Sequence, residues 1–434
     1  MPVLPHYRRR TLSLIPILAI LLTGCFGCDR EQNGASTTTD FDFGDCPVLA
    51  PDDVRTGATL PEDSCYRVVE ELVVEEGTLT METGVALGFA PEVQPTGGHT
   101  FPTLEIRDSG KIQAVGSEDK PILFLSTEKP DSQRVFEDEY EMARIRLIGT
   151  DAENRLESIV LDHGHIAVHS SSLVVQDSEL RNNAECLYSS HFRMGPSPST
   201  VVLDNNILDC GSTPVRLELE DVTGLRATNS FANEEAAVIG INLSAGGRDY
   251  ERDFVIPDAG IPYRLGTPDQ GHGVIVAANL TIEPGVEMQF QNQTRLVVGA
   301  LQQDGTVRGE LTADGTAEAP IVLTSVPSND GWVGIQIEGG ENTLRHVVLE
   351  NVHDQYGMGA LNNDATALFV RGMYHTSPAP SVLVEDTTIR NSRTGIYVRR
   401  GSVLSCSGLT FEGIEEEEID GADPESTDIC GGNF

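Results

Sequence analysis

The chain has 434 residues, with 67 acidic against 29 basic side chains and a formal net charge of −38 at pH 7. Such a surplus excludes nucleic-acid phosphate and anionic lipid headgroups as electrostatic partners, while leaving room for cations and basic surfaces. Apart from the run Glu415 to Glu418 the acids are scattered, as on a solvated face.

Arg8, Arg9 and Arg10 precede an almost wholly apolar run, Thr11 to Leu22, of twelve residues. A helix that crosses a bilayer needs roughly 20, so this run is the h-region of an export signal and the arginines its positive n-region. No other stretch is long or apolar enough to span a membrane. Leu22-Thr23-Gly24-Cys25 follows at once. That segment resembles the lipobox of bacterial lipoproteins (Leu, small, small, Cys). The resemblance implies a signal peptide over residues 1–24, cleavage after Gly24, diacylation of the Cys25 thiol and acylation of the new amino terminus. More than one acyl chain gives stable anchoring. Phe26 stands where an Asp would imply retention in the inner membrane, so the resemblance points to the outer membrane. The alternative is an ordinary secreted protein with Cys25 as a plain thiol. Residues 1–24 hold three Arg and no acid, so the mature chain carries 26 basic against 67 acidic side chains, a net of −41.

Residues 25–45 are expected to form a lipidated flexible tether. The polar stretch 29–45 would place its ends on the order of 20–25 Å apart. Of the remaining cysteines, Cys46 and Cys65 are 19 residues apart, while Cys186 and Cys210, and likewise Cys406 and Cys430, are 24 apart. Outside the cytoplasm these are disulfide candidates. Cys28 is left over.

Beyond the tether the chain repeats itself. Tyr66-Arg67-Val68 returns as Tyr263-Arg264-Leu265, and Leu79 to Val85 as Leu280 to Val286. Gly110 to Ala114 returns as Gly309 to Ala313, Ile145-Arg146-Leu147 as Ile335-Gln336-Ile337, and Ile159-Val160-Leu161 as Val347-Val348-Leu349. Two modules of similar plan follow, 46–245 and 246–413, then an acidic tail, 414–434, expected to cap the end. The segment Cys46 to Tyr66 is expected to cap the other. Inside each module the apolar period is two: Val286, Met288 and Phe290 alternate with Glu287 and Gln289, and Val85, Leu87 and Phe89 with Ala86 and Gly88. That is the pattern of half-buried strands, and no amphipathic helical run supplies βαβ crossovers. A finer phrase recurs roughly every 22–27 residues: Val174 to Asn182, Val201 to Ile207, Leu225 to Phe231 and Val382 to Asn391. In each a strand meets a polar corner, and one apolar residue turns inward.

These phrases resemble the right-handed parallel β-helix repeat, over most of residues 66–413. The best carriers are Leu280 to Val286, Gly309 to Pro320 and Gly331-Trp332-Val333-Gly334-Ile335. The resemblance implies an all-β solenoid in which stacked coils share a core that no single coil could form. About 350 residues at ~24 per coil give around 14 coils, stacked over about 70 Å. A pair of antiparallel β-sandwiches is the other fold the pattern admits.

No phosphate-loop, Rossmann, Gly-x-Ser-x-Gly or His-Glu-x-x-His motif is present. Polysaccharide-cleaving β-helices carry carboxylates, and often calcium, in an outer groove. The candidates here are Asp177, Asp204 and Asp209, with Asp386 in the second module. Acid/base cleavage would need two carboxylates about 5–9.5 Å apart, whereas the corner phrase already explains these residues as turn caps. His163 and His165, with His169 nearby, would share one face if they lay on one strand. Trp332, the single Trp, stands at a strand start, either packed under a loop or offered as a sugar platform. The expectation is a non-catalytic, envelope-anchored β-helix that binds extended ligands such as glycans or serves a structural role, with no cofactor evident beyond calcium. A polysaccharide lyase or glycoside hydrolase on the same fold is the alternative, and an adhesin toward proteins a third class.

Overall fold

The computed structural model describes residues 41–421 apart from 91, 94–98, 101, 128–142, 151, 191–198, 233–235, 243–248, 267–272, 302–305, 330, 354–365, 372–379 and 400. The export signal, Cys25, Cys28, nearly all of the tether, and Cys430 lie outside the described residues. Phe43 to Phe434 belong to one compact unit.

That unit is built from parallel strands in five sheets. Sheet I holds six strands from Ala58–Leu60 to Thr200–Asp204, and sheet II seven from Cys65–Val68 to Ser230–Phe231. Sheet III holds thirteen from Leu72–Val74 to Thr410–Ile414, sheet IV six from Phe254–Ile256 to Val403–Ser407, and sheet V seven from Asp249–Tyr250 to Ile419–Gly421. Successive strands of one sheet are separated in sequence by a strand from each of two others. Glu153–Glu157 pairs in parallel with Ser172–Gln176, for example, and that strand with Thr200–Asp204. The crossovers that parallel pairing requires are therefore the other faces of the same coil, and no helix is needed. This is a parallel β-solenoid with three strands to the coil. The only antiparallel pairs among the described strands are two small hairpins, Glu92–Val93 with His99–Thr100 and Ala300–Leu301 with Val307–Arg308.

Alternation sets which side chains enter the core. In Ser172–Gln176, Leu173 and Val175 are buried while the other three are half-buried. Two apolar residues per strand thus turn inward, where the sequence phrase suggested one. They join a single buried cluster that runs from Leu49 to Leu404. Between sheets I and II the chain turns through one left-handed residue: Ser158, Asp177 and Asn205 have φ of 50°, 51° and 54°. Asp and Asn tolerate that conformation because their short polar side chains bond locally. After the Asp177 and Asn205 corners the next residue, Ser178 or Asn206, is polar and buried. The Asn206 amide nitrogen donates to the Val175 carbonyl, Asn206 Oδ1 accepts from the Ser178 N–H, and Asn229 Oδ1 accepts from the Asn206 N–H. Each corner so satisfies the backbone of the coil beside it.

The sheets of the first and second halves do not continue each other face for face. Sheets I and II end by Phe231, sheets IV and V begin at Asp249, and only sheet III runs through. Ala86–Phe89 lies in sheet II, yet its counterpart Glu287–Phe290 lies in sheet III. Ala143–Ile148 lies in sheet III, yet its counterpart Gly334–Ile337 lies in sheet V. The second copy is thus offset by one face. A six-residue 3-10 segment, Leu219–Gly224, stands at the junction with Leu219 and Val222 buried, and Thr223 Oγ1 exchanges hydrogen bonds with the backbone of Val255.

At the first end, a short helix α1 (Pro51–Val54) buries Val54 completely. Cys46 is bonded to Cys65. Phe43 and Cys46 pack on Ala86 and Leu125, on the outer side of sheet II. Ala86–Phe89 is consequently buried at all four positions, although its alternation predicts two outward residues. A side chain on Gly88 would collide with the Phe43 ring, 2.6 Å from its Cβ position. At the other end, Ile419–Gly421 pairs in parallel with Thr394–Val398. The coil therefore reaches into the tail expected as a cap, and residues 422–434 lie outside the described residues.

Cys186 and Cys210 are bonded, joining neighbouring coils. Their 24-residue separation corresponds to about 3 kcal/mol of lost chain entropy in the unfolded state. Replacing both by serine should lower stability by that amount in urea, read by circular dichroism. An unchanged midpoint would show that the stacked coils hold this region without the bond.

Candidate functional site

The acidic candidates occupy corners and one outer position. Asp177 stands in the left-handed turn after Ser172–Gln176, its Oδ1 accepting from the Asn205 amide. Asp204, one coil on, accepts from Thr228 Oγ1 at 2.6 Å, and Asp386 holds the equivalent left-handed corner of the second half. Asp209 lies in Ile207–Cys210 of sheet II, in register with Arg181. Asp177 and Asp204 thus each hold a side chain of the following coil.

The histidines are separated as well. His163 sits in a left-handed turn, φ 57°, before the strand His165–His169, so the two do not share a strand face as their spacing suggested. His163 Nδ1 lies 2.5 Å from Asp162 Oδ1, and Arg181 Nε and Asn182 Nδ2 donate to the same carboxylate at 3.2 and 2.8 Å. Burial pushes the Asp162 carboxyl up, but these donors and the charge of Arg181 outweigh it and bring it down to about 2. Trp332 is fully buried, stacked on Phe290 with ring centroids 4.0 Å apart, so it is a packing residue and not a sugar platform. Among the described residues, no three His, Cys, Asp or Glu side chains converge as a metal ion would require.

Directly over that stacked pair, the outer face of sheet III carries an open groove of about 380 Å³. Three successive strands line it: Glu287 and Gln289 from Glu287–Phe290, Thr324 and Ser325 from Ile321–Ser325, and Glu350 and Asn351 from Val347–Val352. Pro327, Asn329 and His353 close its rim. The alternation that sends Met288 and Phe290 into the core turns Glu287 and Gln289 out, and register sets Gln289 beside Thr324.

The groove is pre-ordered. Gln289 Nε2 donates to Glu287 Oε1 at 2.8 Å, and Asn351 Nδ2 to Thr324 Oγ1 at 2.9 Å. Asn329 Nδ2 donates to Gln291 Oε1 at 2.9 Å. Arg390 Nε pairs with Glu350 Oε2 at 2.5 Å, while the Trp332 indole N–H donates to the Glu350 carbonyl at 2.9 Å. Amide, hydroxyl, carboxylate and imidazole groups thus face one concavity with a single apolar rim residue. Such a lining exchanges hydrogen bonds with a hydrated, polyhydroxyl ligand and offers little to an apolar one. Glu287 and Glu350 stand two strands and two residues apart, so their backbones are roughly 12 Å from each other.

A second polar cluster lies on sheet V. Gln336 Nε2 donates to Glu338 Oε1, and Arg371 Nη1 lies 3.2 Å from the same oxygen. Phe369 and Tyr397 meet edge to face on adjacent strands. Burial raises the Glu338 carboxyl, against the Gln336 hydrogen bond and the charges of Arg371 and Arg295. Gln336, Glu338 and Phe369 are all buried, as are Gln289, Thr324 and Ser325 on the floor of the sheet III groove.

The sequence did not single out Thr324, Glu350, Asn351 or His353. Glu287 and Gln289 were visible as the outward members of an alternating strand, but their partners come from coils about 35 and 60 residues away.

No protein-family model matches the chain, and no curated protein matches it. Among solved structures it is similar to the catalytic domain of a GH87 alpha-1,3-glucanase in complex with tetrasaccharides. The identity is 11% and the TM-score 0.28, over 89% of this chain and 71% of that one.

Proposed function

We propose that this chain is an envelope-anchored lipoprotein whose right-handed parallel β-helix binds glycans in the sheet III groove without cleaving them. The groove carries the proposal: an open, hydrogen-bonding concavity of about 380 Å³ on the outer face of stacked strands. Right-handed winding is the form that parallel strand–crossover–strand connections take in nearly all cases. The lipobox at Cys25 supports anchoring to the outer membrane, and the two disulfides among the described residues fit an exported chain. A glycosidase or lyase on the same fold is the second reading, favoured by the two carboxylates, Glu287 and Glu350, that face one groove. Against it, Glu350 already holds Arg390 and Glu287 already accepts from Gln289.

The test incubates the full chain with a panel of polysaccharides, with and without calcium, scoring retention and newly formed chain ends. Retention without new ends is expected. New ends would make it an enzyme and direct attention to Glu287 and Glu350. Retention of none of the panel would remove the glycan reading. Gln289→Ala should weaken retention about tenfold, the worth of one or two hydrogen bonds, with the fold retained by circular dichroism. Undiminished retention would place the ligand elsewhere.

A further inference from the structure

Arg264 occupies an outward position of Tyr263–Leu265 in sheet III, in register with Gly240 on one side and the groove residue Gln289 on the other. Other arginines facing outward on this sheet have carboxylate partners: Arg146 has Glu105, Arg216 has Glu185, and Arg390 has Glu350. Arg264 has no carboxylate within salt-bridge distance among the described residues, in a chain with 67 acids to 29 bases. Its side-chain bond is from Nη2 to Gln289 Oε1 at 3.2 Å, and its Nε is buried without an acceptor. Arg107 and Arg371 also bury an Nε without a hydrogen bond, but each has a carboxylate on another nitrogen. Burial alone acts on the Arg264 guanidinium and lowers its pKa, although a guanidinium stays charged throughout the accessible range. The buried Nε is out of a ligand's reach, but a half-buried guanidinium with no counter-charge is incomplete in a way that an anion at its outer nitrogens would correct.

We infer that Arg264 is the anion-recognition point of the adjoining groove, and that the glycan it takes carries an acidic group, a carboxylate or a sulfate ester. This rests on the glycan reading above. Gln289 couples the two parts: its amide oxygen accepts from Arg264 and its amide nitrogen donates to Glu287, so a sugar hydroxyl over Gln289 lies next to the guanidinium. The fork of a guanidinium matches either oxyanion with two parallel hydrogen bonds.

The test measures binding of the full chain to a polyuronate, a sulfated glycan and a neutral glucan of similar length. About 0.15 M salt screens the long-range repulsion from the chain's negative charge while leaving direct contacts intact. At least one acidic glycan should bind tenfold more tightly than the neutral one, and the better of the two names the anion. Arg264→Gln should abolish that preference; Arg264→Lys, which keeps the charge and loses the fork, should retain part of it. Equal affinity for all three, or an undiminished preference in folded Arg264→Gln, would overturn the inference and leave the glycan reading standing. Failure of every glycan to bind would overturn both.

Discussion

Trp332→Ala is expected to destabilise the unit by about 4 kcal/mol. The indole is fully buried and lies face to face with Phe290, the planes 7° from parallel. Its N–H satisfies the carbonyl of Glu350, whose side chain lines the groove above. Truncation would leave a cavity in close-packed core and an orphaned carbonyl together, two costs with different causes. Trp332→Phe separates them: it keeps a stacked ring and loses the N–H, so about 1–2 kcal/mol should go. Urea unfolding followed by circular dichroism reads both, since the single tryptophan cannot report on its own removal. A loss under about 1 kcal/mol for the alanine variant would show that the coils collapse onto the gap.

The second large effect is a response to acid. His169 is buried at 5% exposure, with Nδ1 2.7 Å from Ser190 Oγ. Burial, and then the charge of Arg146, lowers its pKa from 6.5 to about 4. The unfolded chain therefore takes up a proton at this residue well before the folded chain does. The stability tied to the neutral ring is fully present above about pH 6.5 and is lost as pH falls toward 4, amounting to about 3 kcal/mol. Denaturation midpoints should fall over that interval, more steeply in wild type than in His169→Gln. Direct titration of the imidazole by NMR should give a midpoint near 4. A midpoint near 6.5 would show that the ring meets solvent.

The solenoid was legible in the sequence because its cause is local. Alternation of apolar residues, a polar corner with an Asn or Asp near it and a phrase returning once per coil are all visible in one dimension. Two kinds of feature were not. Ala86 and Gly88 read as outward residues of a half-buried strand, yet Phe43 covers them. Only their small size hinted at a cover, and its source lies more than 40 residues upstream. The groove escaped for a related reason. Gln289, Thr324 and Glu350 are unremarkable singly and become a site because parallel register places three coils side by side. Asp177 and Asp204, singled out for their chemistry, each accept a hydrogen bond from the following coil.

On the glycan reading, the one-face offset at the junction sets what a long ligand would meet. Had the second copy followed the first in phase, sheet III would show the same repeated surface twice. Instead its first half presents the positions of Arg146, and its second half the positions that match sheet II of the first module, where the groove lies. The counterpart of Arg146, Gln336, has moved to sheet V, beside Glu338. On that reading the returning phrases give variety and not avidity: a polymer laid along the continuous sheet would cross from one vocabulary of side chains into another at Gly240, and selectivity would be set on both sides of that line.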